Sequence, residues 1–153
     1  MATVTAATAR PERVGYDNDF AAWLDEQAAL LRDGRLADLD LENLAEEIAG
    51  MGISERRAVT RNLIVVLLHL LKHAHQPERR GKSWRRSIRE HRRRLNEAFE
   101  YSPSLRRHAE FVFEACYKAA RKQAADATGL DLSEFPESCP FTLAQVLDEE
   151  FLP

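Results

Sequence analysis

The stretch Leu63-Ile-Val-Val-Leu-Leu-His-Leu-Leu71 constrains this chain more than any other, because eight aliphatic side chains in nine positions leave no polar side for water. A helix with that composition must be buried. It is too short to cross a bilayer, which takes about 20 apolar residues, so it predicts the central helix of a soluble domain with His69 held inside it. Ser54 is placed to cap that helix and Pro77 to stop it near His75, a length of roughly 33 Å at 1.5 Å per residue.

The surroundings read as helical too. There are only six glycines and no alternating valine- or threonine-rich runs, which argues against a sheet. The expectation is all-α: a compact bundle of five to six helices around the central one, with an extended segment before a short C-terminal helix. At 153 residues the chain is long enough for one core without disulfide or metal, so residues 16–153 are expected to form a single domain after a flexible leader at 1–15. The first fourteen residues lack the apolar run of a secretion signal. The product is expected in the cytoplasm and not in a membrane.

Taken in order, Asp17 is expected to cap a helix running to about Asp33. Phe20, Trp23, Leu24, Gln27, Leu30 and Leu31 share its inner face, and Gly34 is its left-handed stop. A second helix is expected from Asp40, with Leu41, Leu44, Ile48 and Met51 as its buried stripe and Gly50 and Gly52 bracketing its end. After the central helix, Trp84, Ile88, Leu95, Ala98 and Phe99 recur at helical spacing from Ser83 to Tyr101, with arginines opposite. Ser102-Pro103-Ser104 opens a long helix to Thr128, with Leu105, Ala109, Val112, Phe113, Cys116, Ala120 and Ala124 on its inner face. Leu130 to Phe141 carries two prolines and no helical period, and a last helix is expected from Thr142 to Glu150.

This punctuation resembles the bacterial family called domain of unknown function 29. The likeness rests on Tyr16-Asp17 with Asp19-Phe20 and Trp23; on Leu39-Asp40 with Asn43-Leu44 and Glu46-Glu47-Ile48; and on Met51-Gly52 with Ser54-Glu55-Arg56-Arg57. It continues through His69-Leu70-Leu71-Lys72, Gln76-Pro77, Ser83-Trp84, Ser102-Pro103-Ser104, Cys139-Pro140-Phe141-Thr142 and Phe151-Leu152-Pro153. The resemblance implies an all-helical fold and, as the name says, no assigned activity. His73 stands where similar chains often carry an aromatic residue.

Three groups of residues can carry chemistry. His69 and His73 are four apart on one helix face, a spacing that lets two imidazoles reach one metal, but neither His-Glu-x-x-His nor Glu-x-x-His occurs. Glu46 and Glu47, on what is expected to be the preceding helix, are the carboxylates nearest His69 for acid–base work. His69 is otherwise a core histidine bonded to a carboxylate or carbonyl, and His73 and His75 are expected at the surface. No cofactor is indicated. Gly81-Lys82-Ser83 lacks the first glycine and the preceding strand of a phosphate-binding loop. Cys116 and Cys139 have no metal-ligand spacing.

Charge is the sharpest surface feature. Nine arginines and lysines oppose one glutamate between Arg79 and Arg94, a net +8; with −3 overall, the remaining residues carry −11. Arg85, Arg86, Arg89, Arg92 and Arg93 are the expected binding residues, and Trp84 either stacks on an unpaired base or anchors its helix in the core. The reading favoured by the sequence is a non-enzymatic protein-interaction domain that binds another protein or its own copy. The alternatives are nucleic-acid binding through residues 79–94, and a metal- or acid/base-dependent enzyme centred on His69 with Glu46 or Glu47.

Overall fold

The computed structural model describes residues 15–153, so the leader expected at 1–15 lies outside the described residues except for Gly15. The fold is all-α, with five α-helices and no strand among the described residues. They are α1 (Phe20–Arg32), α2 (Leu41–His75), α3 (Lys82–Tyr101), α4 (Ser104–Thr128) and α5 (Leu143–Leu147). The chain divides into two compact units, one ending at Gly50 and one spanning Met51–Pro153.

In the first unit, Asp19 rather than Asp17 caps α1, its carboxylate accepting from the backbone of Ala22 at 3.0 Å. The cap shifts because the chain first makes a tight turn at Gly15, whose carbonyl accepts from the backbone of Asn18 and Asp19. Only Trp23, Gln27 and Leu30, one strip of α1, are buried. Gly34 ends the helix at φ +68°, as expected of a residue without Cβ. Asp40 then ties the unit together: its backbone N–H donates to the Gln27 side chain at 2.8 Å, and its carboxylate accepts from Trp23 Nε1 at 3.2 Å and from Asn43 Nδ2 at 2.8 Å. The bond to Asn43 holds the Asp40 carboxyl below its ordinary range. Tyr16 packs edge-on to Trp23 with centroids 4.9 Å apart, and its hydroxyl donates to Glu47, which pushes the phenol up to about 12.

Two expectations fail here. The chain does not break at Gly50 and Gly52, and Ser54 caps nothing; α2 is one 35-residue helix. A helical glycine costs about 1 kcal/mol relative to alanine, too little to end a helix whose flanks propagate, and neither glycine adopts a positive φ. Nor is the stripe it carries buried: Leu41, Ile48 and Met51 are 66%, 67% and 68% exposed. The three-and-four spacing gathers them on one face and supplies nothing to cover it.

The second unit holds the core. Leu63, Val66, Leu67, Leu70 and Leu71 of the aliphatic run are fully buried, and Ile64 and Leu68 pack against the same cluster. Ile88, Leu95 and Phe99 of α3 and Leu105, Ala109, Cys116, Tyr117, Ala120 and Ala124 of α4 close around them. Gln76, which precedes a proline, leaves the helical region at φ −131° and ψ 66°, and α2 stops at His75. Gly129 ends α4 at φ +72°. The segment after it is bound to the helices by its backbone: Tyr117 Oη donates to Pro136 O at 2.5 Å, and Arg121 donates to Phe135 O and Leu132 O at 3.0 Å each. Phe135 and Phe141 are buried. Thr142 and Gln145 form a reciprocal capping box for α5, which is shorter than expected.

Candidate functional site

The arginines of α3 divide by helical position into three groups. Arg92 lies four residues after Ile88 and three before Leu95, on the apolar seam, and is only 1% exposed. Expected among the outward binding residues, it turns inward and donates to Val146 O at 2.7 Å, Gln145 O at 3.3 Å and Glu149 O at 3.4 Å. Carbonyls at a helix C-terminus have no intrahelical donor, so one guanidinium satisfies the end of α5 and fastens it to α3. Burial pulls Arg92 down from its ordinary range while Asp148 and Glu149 oppose the shift.

Arg93 and Arg94 are exposed but compensated. Arg93 pairs with Glu90 at 2.9 Å and with Glu97, and Arg94 pairs with Glu90 at 2.9 Å. These bonds hold the Glu90 carboxyl down to about 2. The third group, Arg85, Arg86 and Arg89 with Lys82, lines a surface cleft of about 630 Å³. Trp84, between them, is half-buried, with Lys72 Nζ 4.6 Å from its ring centroid. A cation therefore lies over one face of the ring.

The histidines are held by carbonyls and amides. His69 Nδ1 lies 2.9 Å from Val65 O and His73 Nδ1 lies 2.8 Å from Pro153 O. A carbonyl only accepts, so both imidazoles carry their proton on Nδ1. His73, expected at the surface, is 4% exposed: it follows Leu70 by three residues and so continues the buried face. Arg80 Nε donates to His73 O at 2.8 Å and its guanidinium also reaches Pro153 O, which fastens the end of the described chain to the end of α2. Burial lowers the pKa of both His69 and His73.

The sequence reading missed one pair. Asn62 Nδ2 donates to Ala58 O at 2.8 Å, which orients the amide so that Oδ1 accepts from His91 Nδ1 at 2.6 Å. Both residues lie on a cleft of about 620 Å³ between α2 and α3, with Val59, Val65 and Leu95 as apolar lining and Arg61 and Arg94 also on it. Desolvation, then Arg94 and His69, keep the His91 pKa below its ordinary value. The available signal was positional: Asn62 and His91 are polar residues next to buried apolar positions.

The family described as Domain of unknown function DUF29 matches residues 15–152. The chain belongs to that family. No curated protein and no solved structure matches it. In this DUF29 chain the helix runs unbroken from Leu41 to His75, without the break expected at Gly50 and Gly52. Among the described residues no group of three or more histidine, cysteine, aspartate or glutamate side chains is arranged to hold a metal. No helix among them is long and apolar enough to cross a membrane.

The DUF29 first unit presents the other surface. Phe20, Leu24 and Leu31 of α1, Leu36 in the following turn, and Leu41 and Ile48 of α2 are all exposed. Ten carboxylates and two arginines, Arg32 and Arg35, accompany them between residues 15 and 50; Arg35 is engaged by Asp38 at 2.7 Å.

Proposed function

We propose that this chain is a non-enzymatic protein-interaction module whose first unit receives a positively charged, apolar-surfaced partner protein. The observation that carries the reading is the exposure of six large apolar side chains on a unit of fewer than forty described residues. Phe20, Leu24 and Leu31 share one face of α1, and Leu41 and Ile48 share one face of α2; exposed apolar faces of this kind serve association, and so small a unit has little core of its own to gain from them. The charge selects the partner: ten carboxylates among these residues attract a basic surface and repel a second copy of the same face.

The test is a photoreactive side chain in place of Leu41, activated in the native cell, with the linked peptide identified by mass spectrometry. The expected product joins the probe to a lysine- or arginine-rich segment of another protein, and Ile48→Lys abolishes it. A link to a second copy of this chain, a link that survives Ile48→Lys, or no link at all would overturn the reading.

A further inference from the structure

We propose that Lys82, Arg85, Arg86 and Arg89 form a docking site for the phosphodiester backbone of a nucleic acid, bound through its phosphates without base readout. The four stand at i, i+3, i+4 and i+7, so the helix places them on one face. Like charges at that spacing repel one another, and α3 relieves the repulsion in its second half: Glu90 and Glu97 neutralise Arg93 and Arg94. The first half has no such relief. Among the described residues no carboxylate pairs with Arg85, Arg86 or Arg89, although the chain outside residues 79–94 carries −11.

The lining of the cleft selects the ligand. Besides the four cations it includes Ser83, with no apolar side chain and no carboxylate. The centre of a protein–protein contact is enriched in aromatic and apolar side chains, of which this cleft has none, whereas a phosphate backbone needs only cations and hydrogen-bond donors. Guanidinium forks match phosphate oxygens two at a time. The stripe rises about 10.5 Å along the helix axis, which matches about three phosphates of one strand at 3.4 Å each. Glu149 and Glu150 border the smaller cleft that shares Arg85 and Arg89, and so limit the footprint on that side. Trp84 does not line this cleft, and recognition rests on the cations.

The experiment titrates a short fluorescein-labelled DNA duplex with the full chain, read by anisotropy from about 50 to 200 mM salt. Three neutralised phosphates give a log–log slope of about −2.7, which is a weakening of about 40-fold over that range. A duplex of unrelated sequence should behave identically. Arg85→Gln with Arg89→Gln should reduce the slope by about 2 while leaving the thermal midpoint unchanged, since both side chains are exposed. Absence of binding at about 50 mM salt, a slope that the double variant leaves unchanged, or equal competition by polyglutamate at matched charge would each overturn the assignment, the last in favour of an acidic protein.

Discussion

The two ends of α2 carry aliphatic residues at similar spacing and meet opposite fates. Leu63, Val66, Leu67, Leu70 and Leu71 are sealed among α3, α4 and the C-terminal segment, whereas Leu41, Ile48 and Met51 face solvent on the same continuous helix. The difference lies in width. Around Leu67 the apolar residues occupy nearly the whole circumference, so no orientation leaves the segment stable in water. Around Ile48 they form a narrow strip between glutamates, which a helix can leave open until something covers it. Spacing tells which residues share a face; it does not tell what lies against that face.

The sharpest way to break this contrast is to truncate both ends alike. Leu67→Ala should lower the unfolding free energy by about 2–5 kcal/mol, the cost of a cavity in a closed core. Ile48→Ala should change it by no more than about 0.5 kcal/mol, as surface positions do. Denaturant titration of the two variants measures both, and similar losses would erase the distinction. Next in size is Arg92→Met, which keeps the volume and removes the donors that Val146 O, Gln145 O and Glu149 O share. Orphaning those carbonyls should cost about 1–3 kcal/mol. The equivalent change at exposed Arg86 should cost nothing measurable, which separates the structural arginine from the docking ones.

Gly50→Ala works in the opposite direction. A Cβ at Gly50 meets nothing within 4 Å and the position is helical, so the variant should gain about 0.5–1 kcal/mol. A loss there would mean that α2 is not continuous through this point. The smallest effect expected is in pH dependence. His69, His73 and His91 all have folded-state pKa values below the ordinary histidine value, so the unfolded chain binds more protons as the solution acidifies. Their contribution is fully present above about pH 6.5 and is lost as pH falls through the folded values. The groups set around His91 are Asn62, His69, Glu90 and Arg94. His91→Gln should flatten the acid limb of stability, and an unchanged slope would remove His91 from the account.

The helical class, the buried aliphatic run, the stops at Gly34, Pro77 and Gly129, and most of the inner face of α4 were legible because each follows from local chemistry: period, left-handed glycine or proline geometry. Three of the features that were not read correctly show why. The Gly50 and Gly52 break failed because glycine disfavours a helix only weakly when its φ stays negative. Arg92 was hidden in a run of nine cations, although its register with Ile88, Leu95 and Phe99 marked it as inward. His73 carried the same kind of signal, three residues beyond Leu70, but its type suggested the surface. In both cases position on the helix was the better guide than polarity, because a buried polar side chain is tolerated wherever backbone carbonyls are left to satisfy. Tyr117 follows that rule too, its ring in the core and its hydroxyl on Pro136 O.

The central claim is that the exposed face of the first unit serves association and not folding, and Ile48→Lys tests it most directly when stability and capture are measured on the same variant. The account predicts an unfolding free energy within about 0.5 kcal/mol of the parent chain together with complete loss of the cross-link formed from position 41. A variant that loses several kcal/mol, or one that folds normally and still captures the partner, would contradict it.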